Sequence, residues 1–372
     1  MQNIGQISAR QFAILVILAT VGDSILIAPS MATLTAKQDV WISMLVGLVV
    51  GLAIIVLMGV VAGKFPQHSP IQYARTLFGS KLGFVAGLLL LIYFTYQMIS
   101  LIAEIAGVLT TQIMPETPAT AVEILFMAVI VLGTRLGLET IARTGELLFP
   151  WFLLFFSFVI VFLLPEIELD NMMPILAKGW SPVLDGSLTL VTIPFVELVA
   201  FLMIAPFVAC NGPLNKPFLI GACIGGAMLF LIMLMSILVL GPALVEMKIF
   251  STYTLAQKIS IGDFLERLEA ILAFMWLVTI FFKTVLYFYA FNLGAAQLLK
   301  LKNYRNLTFP AAMIFIGLAK ASVPNMPYYN DVLKRYWPFL DLTFGLLLPL
   351  AMLGVYALRR RRLSAQPADR KP

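Results

Sequence analysis

The chain has 372 residues, of which 61% are hydrophobic and only 12% are charged. This composition leaves too little polar surface for a soluble domain of that length, so the sequence indicates an integral membrane protein. The net charge of +6 does not indicate a nucleic-acid partner, because the basic residues lie beside the ends of apolar segments rather than on one folded face.

Ten apolar segments follow one another along the chain, each about long enough to cross a bilayer as a helix. Helices satisfy their own backbone groups in lipid, and the segments lack the alternation of a β-barrel, so we predict an all-α membrane protein with ten transmembrane helices. The predicted spans are residues 11–34, 40–63, 83–110, 119–136, 145–165, 187–209, 217–243, 268–292, 308–323 and 336–358. The first is too long for a signal peptide and is expected to be retained. The loops are too short to fold alone, so residues 1–372 are predicted to form a single polytopic membrane domain.

Lysine and arginine residues divide unequally between the two sides of this arrangement. Sixteen lie in the connections on one side, eight lie on the other, and Lys283 lies inside a span. The positive-inside rule then predicts that both termini are cytoplasmic. We also expect the basic run Arg359–Arg362 to anchor the last span and to contact anionic membrane lipid.

Two of the ten spans are interrupted at their centres by polar residues. The first contains Gly22-Asp23-Ser24, and the sixth contains Pro194-Phe195-Val196-Glu197. An acid at mid-bilayer depth usually faces a protein interior or a cavity. Ten spans divide into five plus five of opposite topology, so the matched breaks predict inverted repeats, at about residues 8–165 and 187–358, of the LeuT-like transporter fold with a midplane site. The break residues predicted to bind a ligand are Gly22, Asp23, Ser24, Pro194, Phe195 and Glu197.

The third span carries a stripe of polar side chains on one helical face, which is expected to look away from lipid. Its members are Tyr93, Tyr96, Gln97, Ser100 and Glu104. One interpretation is the wall of a cavity, in which Tyr96 and Gln97 bind the ligand while Tyr93, Ser100 and Glu104 form a coupling or water path. The alternative is interhelical hydrogen bonding that only holds the bundle together.

The eighth span places Lys283 too deep to reach water easily, and a buried lysine needs an acid to keep its charge. Asp23 and Glu197 are the candidate partners. The ammonium either takes the place of a coupling cation or carries a proton, together with Thr284 and Tyr287 in the coupling or water path; the alternative is a static ion pair. The same helical face carries Glu269, Trp276 and Thr279, and we expect Glu269 to reach water or Arg267.

The deep acids Asp23, Glu104 and Glu197 outnumber Lys283, so a proton, a cation or a ligand ammonium must balance the charge. An amino acid or an amine suits such a site, because free helix amides bind a carboxylate and an acid binds an ammonium. No nucleophile–base pair, metal-ligand set or cofactor motif is evident, so we predict no enzyme, no cofactor and no metal site. Asp341 has either a functional role or an ion pair with Lys334 or Arg335, and the ion pair is the favoured expectation. Packing faces are expected at Gly47, Gly51, Gly221, Gly225 and Gly226.

Five sequence pieces, in this order and spacing, resemble the spore germination permease-like family, the GerAB-like B-subunits of nutrient germinant receptors. They are Ile7-Ser8-Ala9-Arg10-Gln11, Gln38-Asp39-Val40-Trp41-Ile42-Ser43, Gly137-Leu138-Glu139-Thr140-Ile141-Ala142-Arg143, Pro194-Phe195-Val196-Glu197, and Leu265-Glu266-Arg267-Leu268-Glu269 with Trp276. The resemblance implies the amino acid/polyamine/organocation transporter fold and residence in the inner membrane of endospores, with both termini on the core side. It also implies a complex with A-type and C-type receptor subunits.

Within that family the subunit is taken to recognise a small germinant, often an amino acid, and to signal germination. The family's polar positions match Tyr96 and Glu104 in the third span and Thr284 in the eighth, where they are implicated in ligand response or a water path. One departure is Val196, which stands where many relatives have glycine.

Three functions share the same predicted pocket. The first is a ligand-sensing receptor subunit whose conformational populations shift when the site fills. The second is a proton-coupled amino-acid permease, which would show sustained, gradient-driven uptake. The third is a water- or ion-conducting channel, which osmotic or current measurements would reveal.

Overall fold

The computed structural model describes residues 5–210, 212–258 and 269–363, with the side chains of residues 360–363 outside that description. Several sequence features therefore lie outside the described residues. They are the motif residues Leu265-Glu266-Arg267-Leu268, the expected contact of Glu269 with Arg267, and the expected lipid contacts of Arg360, Arg361 and Arg362.

The described chain is almost entirely helical, which confirms the all-α prediction. The helices of the first half are α1 (Ala9–Val21), α2 (Ser24–Ala36), α3 (Val40–Lys64), α4 (Pro70–Phe78), α5 (Ser80–Val108), α6 (Ala119–Leu136) and α7 (Leu138–Leu163). Those of the second half are α8 (Ser181–Phe195), α9 (Phe201–Ile204), α10 (Asn215–Met247), α11 (Ser251–Gln257), α12 (Glu269–Leu298), α13 (Thr308–Ser322), α14 (Met326–Arg335), α15 (Trp337–Leu342) and α16 (Leu348–Leu363). Two-residue strands, β1 (Ile7–Ser8) and β2 (Val208–Ala209), pair in parallel.

The first predicted span is two helices rather than one. Gly22 ends α1 with φ +29° and ψ −122°, and its N–H donates to the Leu18 carbonyl; α2 then begins at Ser24. Asp23 lies between the two helices at the start of α2. The break that the polar residues predict is therefore present, and it divides the crossing into two helices of 13 residues each.

The sixth predicted span changes helix type at its centre. The α8 helix ends at Phe195, residues Val196–Ala200 form a 3-10 turn, and α9 follows for a single turn. Pro194 has no N–H to donate within α8, which weakens the α-helical pattern at this point. The break occurs where the sequence predicts it, but the chain tightens into a 3-10 helix instead of unwinding.

The predicted number of ten spans is not confirmed. By length and composition, eight helical runs of the described chain can each cross a membrane, or nine if the bent pair Tyr304–Ser322 and Met326–Arg335 counts as one crossing. The α1 helix is too short to cross alone, and α2 runs through a short turn into α3 as one helical run, Ser24–Lys64. Helix length therefore counts one crossing in Ser24–Lys64, where the sequence pattern predicts two spans, residues 11–34 and 40–63.

The two broken helices lie at the centre of the bundle. The α1 helix packs on α7, α10 and α12, and α8 packs on α2 and α3. The Phe195 ring inserts between Gly51 of α3 and Gly226 of α10, where a Cβ on either glycine would collide with it. The expected small-residue packing faces are thus used to bring α3 and α10 close to the second break.

Candidate functional site

Lys283 joins the two helix breaks by a pair of buried ion pairs. Its Nζ lies 2.6 Å from Oδ1 of Asp23 and 2.6 Å from Oε2 of Glu197. The three side chains are 2%, 8% and 1% exposed, respectively. Both candidate partners named from the sequence therefore contact the same ammonium directly.

One face of α12 donates hydroxyl hydrogen bonds to a backbone carbonyl at each of the two breaks. The Thr279 hydroxyl is shared between the Gly22 carbonyl at 2.9 Å and the Trp276 carbonyl of its own helix at 3.0 Å, and the Tyr287 hydroxyl donates to the Glu197 carbonyl at 2.5 Å. Thr279, Lys283 and Tyr287 are spaced four residues apart, so they stand one above another on the helix. These two hydrogen bonds tie both breaks to a single helix.

Gly22 lets the lysine stem approach the first break. A Cβ at this position would lie 2.7 Å from Cδ of Lys283, and the positive φ already disfavours any residue with a side chain. Ser24 Oγ donates a long hydrogen bond to Asp23 Oδ1 at 3.4 Å. Gly22, Asp23 and Ser24 thus lie together with Lys283, as the sequence predicts for one site.

Trp337, which the sequence did not single out, completes the environment of Glu197. Its Nε1 donates to Oε1 of Glu197 at 2.9 Å, while the second carboxylate oxygen faces Lys283. Trp337 begins α15 and is only 5% exposed. A buried indole N–H needs an acceptor, but nothing in the sequence tells which acid supplies it.

Asp341 belongs to the same buried region, and its expected pairing with Lys334 or Arg335 is wrong. Its Oδ1 accepts hydrogen bonds from the Tyr93 hydroxyl at 3.0 Å and from Gln97 Nε2 at 2.9 Å, and the residue is fully buried. Arg335 instead pairs with Asp331, one helical turn before it, at 2.7 Å. The helix restarts at Trp337, which turns Asp341 inward towards α5.

Glu104 is held through α14. The Tyr329 hydroxyl lies 3.3 Å from Oε2 of Glu104 and 2.9 Å from Oγ of Ser100. Oε1 of Glu104 has no hydrogen-bond partner among the described residues, although the side chain is fully buried. The stripe of α5 is therefore buried and polar at Tyr93, Gln97, Ser100 and Glu104.

Tyr96 is the exception to that stripe. It is 50% exposed and lines a small cavity of about 140 Å³ together with Ser100, Tyr329 and Trp337. At 100° per residue Tyr96 points about 100° away from Gln97, which places it at the edge of the stripe rather than at its centre. The prediction that Tyr96 shares the buried face is wrong.

Other predicted residues lie near the breaks without adding a polar group to the cluster. The Thr284 hydroxyl donates to the Ile280 carbonyl of its own helix at 2.7 Å. The Phe195 ring packs on glycines, and Pro194 lies within the last turn of α8. Trp276 is fully buried on the face of α12 that carries Lys283.

The buried polar cluster, as far as the structure describes it, contains one more acid than the sequence counted. Asp23, Glu104, Glu197 and Asp341 are all at most 6% exposed, and Lys283 is the base that they surround. Four ionised carboxylates against one ammonium would leave uncompensated buried charge, which is strongly unfavourable. Protons or a cationic group must therefore enter the cluster to balance it.

Residues 6–325 match the family described as "Spore germination protein". The chain belongs to this spore germination protein family. It is 30% identical over 361 residues to spore germination protein KB of Bacillus subtilis (strain 168), covering 96% of each chain. Spore germination protein A2 of the same strain is 25% identical over 353 residues, covering 91% of this chain and 92% of the relative.

Solved structures show the fold of this spore germination family member. The nucleobase–cation symport transporter Mhp1, in a closed conformation with bromovinylhydantoin bound, matches with a TM-score of 0.70 at 14% identity, covering 97% of this chain and 82% of Mhp1. MhsT in complex with L-phenylalanine matches with a TM-score of 0.62 at 14% identity, covering 95% and 99%. The predicted LeuT-like transporter fold is confirmed, whereas the repeat boundaries at about 8–165 and 187–358 stay a prediction.

Proposed function

We propose that this family member is the B-type subunit of a nutrient germinant receptor in bacterial spores, and that it senses a small ligand, an amino acid, between its two helix breaks. The observation that carries the proposal is the Lys283 ammonium shared by Asp23 and Glu197. It places opposite charges at an interrupted helix, a kind of backbone that presents free amides at membrane depth.

The arrangement supports a sensing mechanism based on exchange of ion pairs. A ligand ammonium competes with Lys283 for one carboxylate, and the ligand carboxylate binds amides at the start of α2. Because α12 also holds the carbonyls of Gly22 and Glu197, displacing Lys283 changes how α1 and α8 are tied together. Ligand binding thereby shifts the population between two packings of the bundle.

Family membership supports the proposed setting. The subunit resides in the inner membrane of the endospore with both termini on the core side, and it assembles with A-type and C-type receptor subunits. In that setting a change in the packing of α1 and α8 reaches the partners through the membrane-embedded surface of the bundle.

Glu197→Gln tests the role of the site in ligand response. Spores carrying this variant are expected to need at least tenfold more germinant, because Lys283 and a ligand ammonium both lose one carboxylate. Germination is followed by loss of optical density across a germinant series, with the amount of protein in the membrane measured by immunoblot.

Glu139→Gln is the matched control, since Glu139 forms an exposed ion pair with Arg143 that contributes little. This control should leave the dose response unchanged. A normal dose response in Glu197→Gln, at a normal protein level, would overturn the proposed site.

A proton-coupled amino-acid permease is the second candidate, favoured by the surplus of buried acids around Lys283. Purified protein in liposomes distinguishes the two: sustained uptake of labelled amino acid driven by a pH gradient would replace the sensor proposal. Osmotic shrinkage accelerated by the protein would instead favour a water path along Glu104, Tyr329 and Ser100.

A further inference from the structure

A basic groove lies where the ends of α4, α5 and α12 meet, and none of its lining residues belongs to the helix breaks. It is an open groove with a volume of about 860 Å³. Its lining residues are Arg75, Thr76, Ser80, Lys81, Phe84, Val85, Leu298 and Lys300. Three of these side chains are cationic, and no Asp or Glu is among the described residues that line it.

The cations of the groove are free to bind an anion. Lys81 and Lys300 are exposed and form no ion pair with any described residue, whereas one nitrogen of Arg75 donates to the Leu298 carbonyl at 2.8 Å. The α5 helix starts at this groove without a capping side chain, which leaves its first amides to other acceptors. Thr76 and Ser80 add hydroxyl groups.

Lys300 adopts a backbone conformation that a lysine rarely takes. Its φ is +57°, and the Leu301 N–H donates to the Ala296 carbonyl at 2.8 Å, which is the helix-ending turn that usually holds glycine. A residue with a Cβ is unfavourable there. The turn directs a cation to the groove where a glycine would be easier to accommodate.

One wall of the groove is apolar and belongs to the membrane-spanning helix α5. Phe84 and Val85 of α5 are 40% and 49% exposed on that wall. A phosphate that carries acyl chains fits a cationic groove beside an apolar wall, because its headgroup meets the cations while its acyl chains lie along the span. The adjacent basic residues lie on the side of the membrane predicted to be cytoplasmic, where anionic lipid is attracted to such residues.

We propose that this groove is a binding site for an anionic phospholipid headgroup, with the phosphate held by Arg75, Lys81 and Lys300. The site is separate from the proposed germinant site, so it stands whether or not the sensing mechanism holds. Basic residues beside spans are common, but here three of them converge on one groove with hydroxyl donors and an apolar wall.

The test measures lipid retention by the full-length protein in detergent, using native mass spectrometry with added phosphatidylglycerol or phosphatidylcholine. Phosphatidylglycerol is expected to bind more tightly. The variant Lys81→Gln/Lys300→Gly should weaken phosphatidylglycerol binding about 25-fold, roughly fivefold for each basic residue removed. Lys300→Gly keeps the turn, so the variant is expected to stay folded.

The control is Lys178→Gln/Lys248→Gln, which removes the same charge from two exposed loop lysines outside the groove. This control should retain the affinity of the unsubstituted protein for phosphatidylglycerol. Equal loss in control and groove variants, or no loss in the groove variant, would overturn the proposal. So would inorganic phosphate binding as tightly as the lipid, because the ligand would then be a free anion.

Discussion

Lys283 is the central residue of the site, because its ammonium forms ion pairs with carboxylates from both halves of the chain. The sequence singles out Asp23, Glu197 and Lys283 because ionisable groups inside apolar spans are rare and costly. It does not show that both acids hold the same nitrogen at 2.6 Å. Removing one member of such a group leaves a buried charge unpaired, whereas removing all of them together is far less costly.

Lys283→Met should therefore lower the free energy of unfolding by about 3–5 kcal/mol, since two buried acids lose their counter-ion. Thermal unfolding of the purified protein in detergent measures the loss. The triple variant Asp23→Asn/Glu197→Gln/Lys283→Met is expected to recover most of the stability, because it removes both ion pairs together and leaves none of their charges unpaired. An unfolding midpoint unchanged by Lys283→Met alone would contradict the structural role given to the ion pairs.

At the scale of elements, α12 connects the two broken crossings through side chains four residues apart. The sequence predicts that Thr279 and Tyr287 share a face with Lys283, and it predicts where both breaks occur. It does not predict that the hydroxyls donate to the Gly22 and Glu197 carbonyls. Helix period gives the face, but only packing decides which backbone group stands opposite it.

Thr279→Val removes the hydroxyl that the Gly22 carbonyl shares with the Trp276 carbonyl, and it should lower the free energy of unfolding by about 1–3 kcal/mol, the range for leaving a buried polar group unpaired. Thr284→Val is the matched control, because the Thr284 hydroxyl donates to the Ile280 carbonyl of its own helix and, among the described residues, to no carbonyl of a helix break. Its effect should stay below about 1 kcal/mol. Thermal unfolding of both variants gives the comparison, and equal losses would refute the tie between α12 and the first break.

At the scale of the whole molecule, the transporter fold brings the first, third, sixth, eighth and tenth predicted spans around one buried polar cluster. Sequence pattern supplied the first four of these elements with their polar residues. The sequence pattern missed the contribution of the tenth span, whose Asp341 and Trp337 side chains bond to residues of the cluster. Tyr96 was overestimated for the converse reason, because a stripe read at 100° per residue has edges that neighbouring helices leave uncovered.

The charge asymmetry predicts an orientation that labelling can check. In a background where Cys210 and Cys223 are replaced by alanine, a cysteine at Lys178 should react with a membrane-impermeant maleimide in intact cells. A cysteine at Arg10, whose side chain is 78% exposed, should react only after permeabilisation. The reverse pattern would place the termini outside and contradict the positive-inside prediction.

The sequence by itself determined that this protein lives in a membrane, that two of its crossings are broken, and which ionisable residues lie deep. Hydropathy, helix period and the cost of charge in lipid depend on residues close together in the chain, so the sequence alone reveals them. The tertiary structure decided the partners: which acids share Lys283, which hydroxyls donate to the backbone carbonyls at the breaks, and which cations meet in the groove. Those pairings join residues up to 260 positions apart, and only the packing of helices against one another brings them within reach.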